Sequence, residues 1–110
     1  MSNNLRNKSG YVYIISNPIH VGWIKVGVTD NIKDRLCNYQ TADPKRSYKV
    51  EYYIFHPDCY KAEKEIKEMM KYFALSQKNE WYECDLNVAK VRLDETLEWF
   101  NPVLLLECLI

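Results

Sequence analysis

Two short stretches separated by a turn place the tightest limit on how this chain can fold. Residues 11–16 and 23–28 are both rich in the β-branched and aromatic side chains that favour strands. Asn17-Pro18 breaks the first stretch, and Gly22 stands directly before the second. This pattern predicts an antiparallel hairpin with a fairly long loop.

The two faces of this hairpin differ in chemistry, because successive side chains of a strand point to opposite sides. One face is apolar and is expected to enter the core; it consists of Val12, Ile14, Ile24 and Val26. The other face consists of Tyr11, Tyr13, Trp23 and Lys25. Taken singly, these are ordinary sheet aromatics and surface charge. Together they suit the proton transfer and charge neutralisation that attack on a phosphodiester requires.

Helices and further strands are expected after the hairpin. Thr29-Asp30-Asn31 is an N-cap cluster, and the helix that follows carries Lys33 and Arg35 on its polar side. The pattern predicts a helix at about 30–40, a strand at 48–55, a helix at 58–74, a short strand at 80–84 and a helix from 85 to 100. In the last helix, the residues expected to pack on the sheet are Val88, Val91, Leu97 and Phe100.

Glu63 has an informative place on the helix predicted at 58–74. At about 100° per residue it lies beside the apolar stripe, so its carboxylate can reach across a groove. Glu68, on the same helix, points towards solvent. The alternative is an ion pair between Glu63 and Lys67, one turn away, which contributes only about a few tenths of a kcal/mol.

Length and composition fit one globular domain. The chain has 110 residues, of which 47% are apolar, and this suffices for a single core. We place the domain at residues 10–100, between a flexible leader at 1–9 and an apolar tail at 101–110. The tail either completes the core or buries itself in a partner subunit. With no apolar run long enough for a membrane span and no secretory signal, we expect a soluble intracellular protein.

Charge and cysteine content exclude some classes of site. Fifteen basic and fifteen acidic residues cancel, so net charge gives no argument for nucleic-acid binding. Residues 23–49 hold six basic and three acidic side chains, a local excess that an ordinary solvated surface also explains. The four cysteines contain no C-x-x-C pair, so we expect free buried thiols rather than a zinc site or disulfides.

The order of these motifs resembles the GIY-YIG nuclease superfamily. More closely, it is similar to the phage-type, orf172-like DNA-binding branch, which also occurs in large DNA viruses; the similarity covers about residues 10–100. The motifs that carry it are Tyr11-Val12-Tyr13, Lys25-Val26-Gly27, Thr29, Arg35, Glu63 and Glu80-Trp81-Tyr82. The resemblance implies an α/β (α+β) fold in which a small three-stranded antiparallel sheet is flanked by helices.

The resemblance also implies an activity, that of a DNA endonuclease which hydrolyses phosphodiester bonds with one divalent ion, Mg²⁺ or Mn²⁺. Tyr13 matches the tyrosine of the first motif, and Lys25 stands where the second motif has a tyrosine. Arg35 matches the catalytic arginine and Glu63 the metal ligand. The sequence departs from the family at Lys67 also, where this branch often has histidine.

DNA is the expected partner, in the cytoplasm or nucleus of a host cell. Besides the four catalytic positions, we assign DNA contacts to Tyr11, Lys33, Tyr39, Lys45, Arg46 and Lys67. Two alternatives remain open. One is a DNA-binding module of the same fold that does not cut, and the other is an interaction domain that forms a homodimer through the apolar tail.

Overall fold

The computed structural model describes the backbone of residues 8–100 and the side chains of residues 8–97. In chain order the elements are β1 (Gly10–Ser16), β2 (Trp23–Thr29), α1 (Ile32–Ala42), β3 (Lys49–His56), α2 (Cys59–Phe73), β4 (Ser76–Lys78), β5 (Trp81–Glu83) and α3 (Leu86–Phe100). The predicted helices and strands are thus confirmed to within about two residues. Residues 1–7 of the predicted leader and the predicted tail at 101–110 lie outside the described residues.

The sheet corrects the predicted strand number. It is antiparallel and five-stranded, with the order β3-β1-β2-β5-β4, rather than three-stranded. The two additional strands form a second hairpin, in which Lys78 is paired with Trp81. Asn79, in the turn, has φ 56°, a conformation that asparagine tolerates better than most residues. Because β5 also pairs with β2, the second hairpin extends the first.

The core lies on one face of this sheet. The predicted apolar face of the first hairpin is buried, and α2 packs against it through Ala62, Ile66 and Met70. α3 completes the layer, and the hydroxyl of Tyr52 on β3 donates a hydrogen bond to Asp94 on α3. α1 lies on the opposite side of the hairpin, where its Tyr39 contacts Tyr13, but none of the residues of α1 is fully buried.

The buried stripe of α3 differs from the predicted one. Val88 and Val91 are exposed, whereas Ala89, Leu93 and Leu97 are buried. These three residues are spaced by four and define a single helical face. The prediction was therefore right for Leu97 and wrong for the two valines; the side chain of Phe100 lies outside the described residues.

Two further expectations can be compared with the structure. Cys59 and Cys84 are buried free thiols as predicted, but Cys37 on α1 is exposed. Across residues 8–100, none of the helices is long and apolar enough to cross a membrane.

Candidate functional site

Tyr13 reaches from the sheet to α1, and Gly27 leaves the space for it. The two residues lie opposite each other in the β1–β2 ladder. A Cβ atom at position 27 would lie 2.6 Å from the Tyr13 hydroxyl oxygen, which is far too close. Tyr13 is only 2% exposed, and its hydroxyl lies 3.2 Å from that of Tyr39 on α1. The glycine of the Lys-Val-Gly motif thus allows the phenol to reach the helix.

The surroundings of Tyr13 keep it protonated. Burial raises the pKa of Tyr13, and the hydrogen bond to Tyr39 raises it further, while the positive charge of Arg35 acts in the opposite direction. A phenol whose pKa is raised stays neutral near pH 7. Tyr13 is therefore poorly suited to removing a proton.

Lys25 lies among aromatic rings on the same side of the sheet. Its Nζ is 4.9 Å from the centroid of the Tyr39 ring and 6.0 Å from that of Trp81. The same Nζ lies 3.6 Å from Oε2 of Glu80. Rings and carboxylate together stabilise the ammonium, so they hold a positive charge over the ring of Tyr39, whose hydroxyl contacts that of Tyr13.

Glu80 joins the sheet to α2. It lies in the turn between β4 and β5, and its second oxygen, Oε1, is 3.3 Å from Nζ of Lys67. Burial acts to raise the pKa of Glu80, but Lys67 and Lys25 outweigh burial, so that the pKa is lowered overall. Glu80 is therefore an ionised carboxylate between two ammonium groups.

Glu63 stands at the end of this series of charges. Its Oε2 lies 3.2 Å from Nζ of Lys67, so the alternative that the sequence offered for Glu63, an ion pair with Lys67, is present. Burial acts to lower the pKa of Lys67, but Glu63 and Glu80 outweigh burial and raise it. We call Glu63, Lys67, Glu80 and Lys25 the ion-pair chain.

The ion-pair chain contains two carboxylates, and carboxylates are ligands that a hard divalent cation can use. Mg²⁺ prefers oxygen ligands and is commonly held by one or two carboxylates together with substrate phosphates. Within the described part of the chain, no group of three or more His, Cys, Asp or Glu side chains is placed to hold a metal. Glu63 and Glu80, the two carboxylates of the ion-pair chain, both contact Lys67.

Arg35 lies apart from the ion-pair chain, at a polar cleft of about 220 Å³. Thr29, Asp30 and Lys8 line the same cleft. Lys8 and Asp30 form an ion pair of 2.9 Å, which raises the pKa of Lys8 and lowers that of Asp30 through their hydrogen bond. Because these two charges neutralise each other, the exposed guanidinium of Arg35 is the group in the cleft that is suited to an anion.

The other predicted DNA contacts are distributed more widely. Tyr39 and Lys67 belong to the site just described, whereas Tyr11 is half-buried near the start of β1. Lys33 is exposed on α1, and the exposed residues of the following loop include Lys45 and Arg46. Among the contacts of the described residues, these last three side chains do not join the ion-pair chain.

Sequence reasoning missed the part that Glu80 plays. In the sequence Glu80 is the first residue of the motif Glu80-Trp81-Tyr82, which predicts no contact for it. Its contacts depend on the turn between β4 and β5, which brings the carboxylate between a strand and a helix. The feature of the sequence that could have pointed to Glu80 is a carboxylate directly before the aromatic pair Trp81-Tyr82.

Comparison with known proteins supports a family assignment. No curated protein and no solved structure matches the chain at a significant level. The model of one family, described as the T5orf172 domain, matches residues 10–101. This match includes every described strand, all three helices and each of the site residues above except Lys8. The chain therefore belongs to the T5orf172 domain family.

Proposed function

We propose that this protein is a DNA endonuclease that hydrolyses phosphodiester bonds with the help of one divalent cation. Two kinds of support lead to this proposal. The T5orf172 domain family is related to the GIY-YIG nucleases, and the fold brings Tyr13, Lys25 and Glu63 into a connected series of contacts. That connection between residues distant in sequence is the observation that carries the proposal.

Arg35 is assigned to the phosphate. Its guanidinium can form two parallel hydrogen bonds to phosphate oxygens, which fixes the orientation of the group as well as neutralising it. Its position on the first turn of α1, at the polar cleft, leaves it accessible to a DNA strand. We therefore infer that the scissile phosphate, or one next to it, binds at this cleft.

Tyr13 and Lys25 are assigned to the reacting oxygens. The protonated phenol of Tyr13 orients the attacking water by a hydrogen bond, and the ammonium of Lys25 offsets the negative charge that develops on the phosphate. Glu80 holds Lys25 in place at 3.6 Å. Glu80 thus acts through Lys25, as a positioning residue.

Glu63 is assigned to the cation. A Mg²⁺ or Mn²⁺ ion at this carboxylate would supply Lewis-acid polarisation of a phosphoryl oxygen. Because one carboxylate binds such an ion weakly, we expect full binding only when DNA phosphates contribute the remaining ligands.

Cleavage of supercoiled plasmid and of branched DNA, with Mg²⁺ and then Mn²⁺, tests the proposal. The wild-type protein is expected to nick, and Glu63→Ala and Arg35→Ala are each expected to lose about a hundredfold or more in rate. Glu68→Ala is the matched control, because this glutamate is exposed on the same helix as Glu63. Absence of cleavage of every DNA form by the wild type would contradict the proposal; cleavage that survives both substitutions would indicate a contaminant.

A DNA-binding module that does not cut is the second candidate. The contact between Lys67 and Glu63 favours it, since an ammonium already neutralises the carboxylate proposed to bind the cation. This candidate predicts a DNA affinity that falls steeply with salt and does not depend on metal. A gel-shift titration of the same variants in EDTA would distinguish it from the nuclease.

A dimerising interaction domain is the third candidate. It depends on the apolar segment at 103–110, which lies outside the described residues. It predicts a DNA affinity no greater than that of an unrelated neutral protein, and a monomer when that segment is deleted. Sedimentation of the full chain and of the shortened chain is the measurement.

A further inference from the structure

Three aromatic rings form an exposed cluster on the sheet face that carries Tyr13. Tyr11 on β1 lies opposite Phe55 on β3, and Tyr13 lies opposite Tyr53. The ring of Tyr11 contacts both neighbours edge to face, at 5.8 Å from Tyr53 and 5.6 Å from Phe55. Tyr53 is 57% exposed and Phe55 is 47% exposed. We call Tyr11, Tyr53 and Phe55 the aromatic cluster.

The exposure of this cluster is not needed for folding. Tyr52 and Ile54, which alternate with its members along β3, are the residues that pack against the core. Tyr53 and Phe55 point to the opposite face, where α2 and α3 do not lie. Large exposed aromatic groups that contact one another commonly mark a binding surface.

One residue pair links the aromatic cluster to the cleft that contains Arg35. Tyr11 is opposite Thr29 in the β1–β2 ladder, and Thr29 lines the cleft that contains Arg35. Tyr11 belongs to the aromatic cluster, and its cross-strand partner Thr29 lines the cleft that is suited to an anion. A nucleotide presents the same two chemistries, a phosphate and a planar base, one next to the other.

We propose that the aromatic cluster binds unpaired DNA bases by stacking, so that the substrate of this site is single-stranded DNA or DNA with a single-stranded branch. In a duplex the faces of the bases are already stacked on one another, whereas an unpaired base is free to stack on a tyrosine or phenylalanine ring. The cluster then receives the bases next to the phosphate that Arg35 holds. This inference rests on the proposed function for DNA as the substrate and for the position of that phosphate.

Binding of fluorescent oligonucleotides in EDTA tests the inference without any cleavage. The probes are a 20-nucleotide thymidine strand and a 20-base-pair duplex, at about 0.1 M salt. The double substitution Tyr53→Ala/Phe55→Ala is expected to weaken binding of the single strand about tenfold or more, because each stacked base contributes substantially to affinity. Binding of the duplex is expected to change less than about threefold.

Tyr72→Ala is the matched control. It removes an aromatic ring that is 87% exposed from α2, which packs on the other face of the sheet, and it is expected to leave both affinities unchanged. Circular dichroism melting of all three proteins shows that they are folded. The measurement uses no metal and follows no cleavage. A failure of the proposed nuclease activity can therefore be told apart from a failure of this binding site.

Three outcomes would overturn the inference. Equal weakening on single-stranded and duplex DNA would make the cluster a general DNA contact. An unchanged DNA affinity together with a shift from dimer to monomer in light scattering would assign the cluster to a second copy of this chain, paired at the β3 edge. The double variant could also keep its DNA affinity but melt at a temperature well below that of Tyr72→Ala. The aromatic cluster would then serve to stabilise the fold.

Discussion

The ammonium of Lys67 lies 3.2 Å from the carboxylate of Glu63, the residue proposed to hold the divalent cation. Two cations close to one carboxylate repel each other, so a metal ion at Glu63 would compete with Lys67. Oε1 of Glu80 lies 3.3 Å from the same ammonium. If the proposal holds, metal binding would require only that Lys67 move fully onto Glu80, and not that it enter solvent alone.

Lys67→Met is expected to bind Mn²⁺ about tenfold more tightly than the wild type in the absence of DNA, because a like charge at contact distance is removed. The measurement is a titration of free Mn²⁺ followed by electron paramagnetic resonance. Lys64→Met, which removes an exposed lysine from the same helix, is the control for loss of net charge. Equal affinities of the two variants would show that Lys67 does not compete.

Gly27→Ala is expected to destabilise the fold by about 1–3 kcal/mol, since the new Cβ overlaps the Tyr13 ring. The three atoms nearest to that Cβ all belong to Tyr13. In a Tyr13→Ala background the same substitution is therefore expected to cost less than about 0.5 kcal/mol. Urea denaturation of the two single variants and the double variant measures this coupling, and additive effects would argue against it.

Tyr13 is expected to make stability depend on alkaline pH. Because its pKa is raised in the folded state, its contribution is complete below pH 10, the value for an unperturbed tyrosine, and is lost as the pH rises above it. The free energy of unfolding of the wild type is expected to fall relative to Tyr13→Phe by up to about 1.4 kcal/mol per pH unit in that range. Urea denaturation at pH 7, 10 and 11 measures the difference; a constant difference contradicts the prediction.

Glu80→Gln is expected to affect stability in the opposite pH range. The pKa of Glu80 is lowered in the folded state, so its contribution is present above about pH 4.5 and disappears as the pH falls through the folded pKa. Since the side chain of Glu80 is about half exposed, we expect a loss of under about 1 kcal/mol at pH 7 and a smaller loss at pH 3. Denaturation curves at both pH values, with Glu68→Gln as the exposed control, measure it. A loss at pH 3 as large as the loss at pH 7 would have another cause.

The first hairpin could be predicted from the sequence because apolar side chains of the core alternate along each strand with side chains of the other face. Val12 and Val26 alternate with Tyr13 and Lys25, and the structure places the valines in the core as expected. Ser76–Lys78 (β4) gave no such signal, since all of its residues are exposed and polar. An edge strand of this kind is defined by its backbone pairing with β5, which side-chain chemistry does not reveal.

Some residues of the candidate site could be named from the sequence because short motifs contain them. The motifs indicate Tyr13, Lys25 and Glu63, and Tyr39, Lys67 and the ion pair between Glu63 and Lys67 are also named from the sequence. The contact of Tyr39 with Tyr13 and the position of Glu80 between two lysines are not predicted. Tyr39 reaches Tyr13 only because α1 folds over the sheet, and Glu80 reaches Lys67 only because a two-residue turn aims it there. Contacts between elements that are distant in sequence depend on tertiary packing, which local patterns do not encode.

The absence of any fully buried residue in α1 has a consequence for its motion. A helix with so little buried surface opens locally at lower free energy than the central strands, so its amide hydrogens should exchange with solvent long before those of β1. Arg35 and Tyr39 belong to this helix. The guanidinium that we propose to bind a phosphate is thus on a helix that opens at low free energy, whereas Tyr13 and Gly27 lie on paired strands. If the proposal holds, Arg35 can shift position to meet phosphates of differently shaped strands.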